Sequence, residues 1–327
     1  MKPKIFVARA VFPEVLERLA QHFEVESNQE DRIFPADELL EKVRGKDGLF
    51  STPSEPVTAA LFAANPQLKA VCNMAVGYNN IDVAAATKAG VQATNTPDVL
   101  NETTADFGWA LLMATARRVT ESEHWLRAGH WKKWSYDSFT GPDVHGSTLG
   151  IIGMGRIGQA IARRSMGFDM NVIYHNRSQL SSELEARANK ARYVGKEELL
   201  RTADHVILVL PYSKESHHTI KAADIALMKP QATLINLARG GIVDDAALIA
   251  ALRDKKIAAA GLDVFENEPA FNPDFLGLSN VVLTPHIASA STPTRLAMAN
   301  CAADNLIAAL SGQTPPNLLN RDVQPKR

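Results

Sequence analysis

What most narrows the fold is an alternation. Short runs rich in Val and Ile, each long enough for a single strand, alternate with helix-period segments along nearly the whole chain. Strands this apolar need cover on both faces, and a strand that leads through a helix into another strand returns parallel to it. The pattern therefore predicts βαβ units around parallel sheets. Strands read as 4–8, 47–51, 69–73, 148–153, 171–175, 204–210, 233–237, 257–262 and 281–284. Helices read as 13–22, 36–44, 82–89, 101–117, 156–166, 196–202, 244–252 and 293–310, with Asp82 opening and Gly90 closing one of them. At 327 residues the chain has room for two domains of about 150 residues each.

Charge and cysteine content exclude several function classes. Lys plus Arg number 35 against 36 Asp plus Glu, so no global field draws the chain to nucleic acid or to an anionic membrane. Anion recognition must be local. No 18-residue apolar stretch is present, and the amino-terminal apolar run breaks at Arg9 without a small-residue cleavage site. Cys72 and Cys301 have no CxxC partner, which argues against a disulfide framework or a zinc site. A reduced, cytoplasmic protein is the expectation. The adjacent His217 and His218 read as exposed loop residues and not metal ligands, since no third ligand has suitable spacing.

Two segments interrupt the alternation. In residues 118–147, Trp125, Trp131, Trp134, Tyr136 and Phe139 crowd among Gly129, Gly141, Pro142 and Gly146. Either a long loop folds onto its own domain, or an aromatic arm buries against a second subunit; aromatics on a protruding segment favour the arm. The tail PPNLLNRDVQPKR is polar and Pro-bearing and reads as loosely packed.

The stretch LGIIGMGRIG (149–158) places a strand directly before Gly153-x-Gly155-x-x-Gly158, with a helix after it. Gly153 permits the tight turn, Gly155 lets backbone approach a pyrophosphate, and Gly158 lets helix and strand touch, with Arg156 and Ile157 completing the loop. The helix N-terminus offers free N–H groups and a positive dipole end. An NAD site usually carries an acid at the end of the second strand, where it accepts from the ribose 2′-OH and would repel the 2′-phosphate of NADP. Here that position reads Asn176-Arg177-Ser178. Without the acid the repulsion is gone, Arg177 can pair with a phosphate, and Asn176 and Ser178 can donate. NADPH is thus the expected cofactor, with NADH weaker; the competing reading makes Arg177 a solvated cation on an enzyme that takes either.

Past the loop come INLARGGIVDDAAL (235–248), AAGLDVFENEP (259–269) and LTPHIASAS (283–291). They set Arg239, Glu268 and His286 just beyond strand ends, where open α/β sheets bind ligands. A 2-oxo acid needs a bidentate cation, a proton source beside its carbonyl oxygen, and a carboxylate that keeps that source protonated. In glycine loop, ARG, GLDVFExEP and PHIxS, in that order and spacing, the chain from residue 4 to about 320 resembles the D-isomer-specific 2-hydroxyacid dehydrogenases.

The resemblance implies two doubly wound parallel-sheet α/β domains, Rossmann-like and flavodoxin-like, with a cleft between them. Residues 1–99 and 289–327 would bind substrate, and 100–288 would bind the dinucleotide, with 118–147 as the arm of a homodimer. It implies that Arg239 binds the substrate carboxylate and polarises the keto group, that His286 gives the proton, and that Glu268 holds His286. Val76 and Gly77 would present backbone N–H groups to the carboxylate, with Ser51 beside them. Thr104, Leu210 and Pro211 would touch the cofactor, Asp263 its carboxamide, and Leu237 and Ala238 its ring. Asn101 departs from the Thr common in relatives, at a helix cap. NMAVGYNNID, NTPDVL, MGRIG and YHNRS resemble the glyoxylate and hydroxypyruvate reductase branch, including enzymes acting on 2-ketogluconate. The alternatives are a dehydrogenase of another D-2-hydroxy acid and a dinucleotide-sensing corepressor, which would need neither the complete Arg, Glu, His set nor a basic 2′-phosphate pocket.

Overall fold

The computed structural model describes residues 2–326. The chain divides into two compact units, one of Met1–Leu100 with Ala290–Arg327 and the other of Asn101–Ser289.

In the first unit, β1 (Lys4–Val7), β2 (Glu24–Ser27), β3 (Gly48–Ser51), β4 (Ala70–Asn73) and β5 (Gln92–Thr94) form a parallel sheet in the order β2-β1-β3-β4-β5. Successive side chains leave a strand on opposite faces. Thus Phe6 packs with Leu39, Leu61 and Val71 on one side, while Ile5 and Val7 pack with Leu19, Phe50 and Leu306 on the other. The chain returns to this unit through the long helix Thr292–Leu310, capped at its start by the Ser291 hydroxyl. Gly48 admits that helix: a Cβ there would lie 2.8 Å from Leu306 Cδ1.

The carboxyl-terminal tail corrects the expectation of loose packing. Leu319 N–H donates to the Ala93 carbonyl, and the buried Asn320 amide both accepts from Ala93 N–H and donates to the Val91 carbonyl. The tail completes the backbone bonding of an edge strand, which a polar composition does not advertise.

The second unit holds β6 (Thr148–Ile152), β7 (Asn171–His175), β8 (Arg192–Tyr193), β9 (His205–Leu208), β10 (Thr233–Asn236), β11 (Ala259–Leu262) and β12 (Val281–Leu283). All pair in parallel, in the order β12-β11-β10-β9-β6-β7-β8. From β6 the chain steps outward to β7 and β8, then crosses to β9 on β6's other side. The connections that follow β6 and β9 therefore run in opposite directions from the sheet's centre, the position where such sheets take ligands. One face buries Trp109, Leu112, Ile161 and Tyr174, the other Leu199, Leu234, Ile249 and Phe275. Gly261 lets helix Asn101–Ala116 lie on β11, since a Cβ there would sit 2.5 Å from Thr115 Oγ1.

Residues 118–147 contain helix Val119–Arg127, set off from its predecessor by Arg118 in the left-handed region (φ 52°). Trp125 and Phe139 meet edge to face at 5.3 Å, and Arg118 lies over the Phe139 ring. Trp131, Trp134 and Tyr136 are 60, 78 and 83% exposed. Among the described residues no helix is long and apolar enough to cross a membrane.

Candidate active site

Two glycines fix the shape of the loop after β6. Gly153 has φ +103°, and a Cβ on it would sit 2.7 Å from Leu210 N, so the loops after β6 and β9 meet at backbone distance. A Cβ at Gly158 would fall 2.4 Å from the Gly153 carbonyl oxygen, so helix Arg156–Arg164 starts hard against the turn. Around Gly155, by contrast, a Cβ would meet nothing within 4 Å. That open backbone at a helix N-terminus fits a pyrophosphate.

The loop is tied to the end of β7. Asn176 Oδ1 accepts from Met154 N–H at 2.7 Å, and Tyr193 O–H donates to the Asn176 carbonyl at 3.1 Å. Asn176 thus acts as a brace for the glycine loop. Arg177 and Ser178 beyond it are exposed, and among the described residues Arg177 makes no hydrogen bond or ion pair. Glu215, on the loop after β9, is held below the usual carboxylate range by the Ser213 hydroxyl, with Arg177 among the charges that add to this.

Arg239, Glu268 and His286 come from three neighbouring strands, β10, β11 and β12. Gly240 seats the first of these loops on the second, because a Cβ there would overlap the Phe265 carbonyl oxygen at 1.7 Å. The second and third are joined by His286 N–H, which donates to the Asp263 carbonyl at 2.9 Å. His286 sits in the left-handed region (φ 54°), a strained backbone that surrounding contacts must hold. Asp263 does much of the holding. Its buried carboxylate accepts from Thr284 O–H at 2.7 Å, Ile287 N–H at 2.8 Å and Ala288 N–H at 2.9 Å. Burial raises its pKa and those donors oppose the rise.

Glu268 accepts from Phe265 N–H through Oε1 at 2.8 Å, and its Oε2 lies 2.8 Å from His286 Nδ1. Burial would raise its carboxyl, but the His286 hydrogen bond and charge, Phe265 N–H and Arg239 together hold it below the ordinary range. His286 Nε2 remains as the ring's outward nitrogen. Arg239 is half-buried, with Nη1 donating to the Ala238 carbonyl at 2.7 Å. Desolvation lowers its pKa against the opposing charge of Glu268. Leu237 and Ala238 before it are buried, as is Thr104 within helix Asn101–Ala116; Leu210 is half-buried and Pro211 exposed.

In the first unit, Val76 and Gly77 are partly exposed just beyond β4. Ser51 is not available as a direct substrate contact. It is fully buried at the end of β3, with its hydroxyl donating to Asn73 Oδ1 at 3.2 Å. A strand-terminal residue packed between two neighbouring strands faces inward, and sequence position alone does not distinguish the last buried residue from the first exposed one.

Residues 109–288 match the family described as D-isomer specific 2-hydroxyacid dehydrogenase, NAD binding domain, which is more than half of the chain. This chain belongs to that family. The dehydrogenase is 48% identical, over 99% of its own length and 97% of the other's, to a glyoxylate reductase of Thermococcus gammatolerans. Among solved structures it is similar to an NADPH-dependent glyoxylate/hydroxypyruvate reductase from Sinorhizobium meliloti in complex with NADP and malonate, with TM-score 0.84 and 35% identity, covering 100 and 99% of the two chains. A glyoxylate reductase from Paecilomyes thermophila gives TM-score 0.86 at 31% identity, covering 97 and 98%. The dehydrogenase is an oxidoreductase acting on a CH–OH group with a nicotinamide dinucleotide, and its similarity runs to the glyoxylate reductase branch.

Its site has supports that the motifs did not reveal. His218 is half-buried and not a plain surface residue: Nε2 lies 2.6 Å from Glu266 Oε1, and its ring stacks on the exposed His217 at 3.8 Å. Glu266 N–H in turn donates to the buried Asp245 at 3.0 Å. Within the first unit, Asn73, Asn80 and Asn95 surround the Val76-Gly77 loop. The asparagines gathered about AVGYNN were the available signal, although isolated asparagines near turns are common for local reasons.

Proposed function

We propose that this dehydrogenase reduces small 2-oxo acids, glyoxylate and hydroxypyruvate first and 2-ketogluconate among them, to D-2-hydroxy acids with NADPH in preference to NADH. The observation that carries the reading is the His286–Glu268 pair, set beside Arg239 at the ends of β10–β12. Arg239 takes the substrate carboxylate through its planar fork and draws electron density from the adjacent carbonyl, and the backbone N–H groups of Val76 and Gly77 bind that carboxylate. His286 delivers a proton from Nε2 to the carbonyl oxygen as the C–H bond forms at carbon, and Glu268 holds the ring through Nδ1 and stabilises its charge. When bound, the reduced nicotinamide supplies the hydride. Its pyrophosphate would lie on Gly153, Gly155 and the start of helix Arg156–Arg164, with Arg156, Ile157 and Gly158 in that turn. Thr104, Leu210, Pro211, Leu237, Ala238 and Asp263 would surround the rest.

Cofactor preference rests on the end of β7. It lacks an acid, exposes Arg177 and Ser178, and leaves the Asn176 amide NH2 able to donate to a 2′-phosphate. The test is glyoxylate reduction with each cofactor. Arg177→Ala should lower kcat/KM for NADPH by roughly one to two orders of magnitude and leave NADH nearly unchanged. Equal losses with both cofactors would sink this assignment.

A further inference from the structure

Three consecutive carbonyls beyond β4 are held from behind. The Ala75 carbonyl accepts from Thr96 N–H at 2.8 Å, the Val76 carbonyl from Asn95 Nδ2 at 2.8 Å, and the Gly77 carbonyl from Asn73 Nδ2 at 3.0 Å. In a trans peptide the C=O and the following N–H point in opposite directions. Fixing those three carbonyls inward therefore turns the N–H groups of Val76, Gly77 and Tyr78 away from the protein. Among the described residues none of the three donates a hydrogen bond. Successive unpaired amides of this kind form a concavity for an anion.

The side chains that hold the carbonyls are themselves buried and hydrogen-bonded. Asn73 is fully buried, with Oδ1 accepting from Ser51 O–H at 3.2 Å. Asn95 is 8% exposed, and its own carbonyl accepts from Asn305 Nδ2 at 3.1 Å. Asn305, fully buried on helix Thr292–Leu310, accepts in turn from Asn317 N–H at 3.0 Å. A buried amide left without partners would cost more than one that exchanges them with water, so these bonds persist whether or not ligand is present.

We propose that Asn95 is a positioning residue for the substrate carboxylate: it turns the Gly77 amide toward that group through the Val76 carbonyl, while Asn73 sets the Tyr78 amide as a third donor. The inference rests on the reading in which the Val76-Gly77 loop receives the carboxylate. Because the carboxylate is the same in substrate and product, the contribution falls on binding and not on the chemical step.

Two variants test it, Asn95→Ser, which is too short to reach the Val76 carbonyl, and Asn95→Asp, which replaces the donor by an acceptor. With saturating NADPH, the KM for glyoxylate and the inhibition constant of oxamate should rise together, roughly tenfold in Asn95→Ser and further in Asn95→Asp, with kcat within about twofold of wild type. The dissociation constant of NADPH should not move. The inference is overturned if KM stays put, or if kcat, NADPH affinity and thermal stability fall together in both variants. A wild-type enzyme that reduces no 2-oxo acid would overturn the reading of the site itself.

Discussion

Glu268 shows how much a single side chain can be asked to do. One oxygen caps the Phe265 amide and the other holds His286, so the carboxylate fixes both the loop after β11 and the ring beyond β12. In Glu268→Gln the ring keeps a neutral partner but loses the carboxylate that holds Nδ1. Reductive kcat/KM should fall by roughly one to two orders of magnitude while the dissociation constant of NADPH stays put. Unchanged kcat/KM would show that Glu268 has no hold on His286. The three residues proposed for catalysis were legible as candidates because each follows an apolar strand and arrives with a motif around it. The asparagines that orient the Val76-Gly77 loop were not, since their function lies in carbonyls brought close by folding, and Ser51 was misjudged because burial at a strand end depends on its neighbours.

Among elements, the buried parallel strands β1, β3, β4, β6, β7, β9 and β10 announced themselves through continuous apolar runs. The edge strands β2 and β8 did not. EVES and RY carry too little apolar surface to stand out, and their pairing is decided by the adjacent strand. Helix Val119–Arg127 was hidden for another reason, the left-handed Arg118 that separates it from the preceding helix. A further element-level feature lies at the start of helix Asp245–Arg253, where Asp245 is buried beneath the loop after β11. Desolvation raises its carboxyl from 3.8 to about 6, with the charges of Glu266 and Asp244 adding and Glu266 N–H and His218 opposing. A carboxyl raised in the folded state favours folding below its unfolded value and loses that contribution as pH rises through about 6. Asp245→Asn retains an acceptor for Glu266 N–H, so denaturant titrations should find the variant more stable than wild type above pH 6, by on the order of 2–3 kcal/mol. The gap should close toward pH 4. A variant whose destabilisation grows as pH rises through about 6 would instead place the value of Asp245 in its charge.

At the scale of the whole molecule, the aromatic segment 118–147 is the feature one chain leaves unexplained. Trp131, Trp134 and Tyr136 expose large apolar surfaces that a solvated monomer has reason to cover. A homodimer joined through this arm should sediment as such at micromolar concentration, with tryptophan emission shielded from quencher until Trp134→Arg separates the subunits. A compact wild-type monomer would refute it. The same molecule must also choose its substrate. Near the Val76-Gly77 loop, Asn80 Nδ2 donates to the Thr52 carbonyl, and the cation Arg9 is already paired with Asp31 at 2.8 Å. Small or hydroxylated tails should therefore be preferred. The deciding measurement is kcat/KM with NADPH across glyoxylate, hydroxypyruvate, 2-ketogluconate, pyruvate, phenylpyruvate and 3-phosphohydroxypyruvate, with the configuration of each chiral product. Glyoxylate and hydroxypyruvate should lead, and the products should be D-configured; a preference for phenylpyruvate or the phosphorylated acid, or an L-configured product, would contradict the assignment of Arg239, Glu268 and His286 to a small 2-oxo acid.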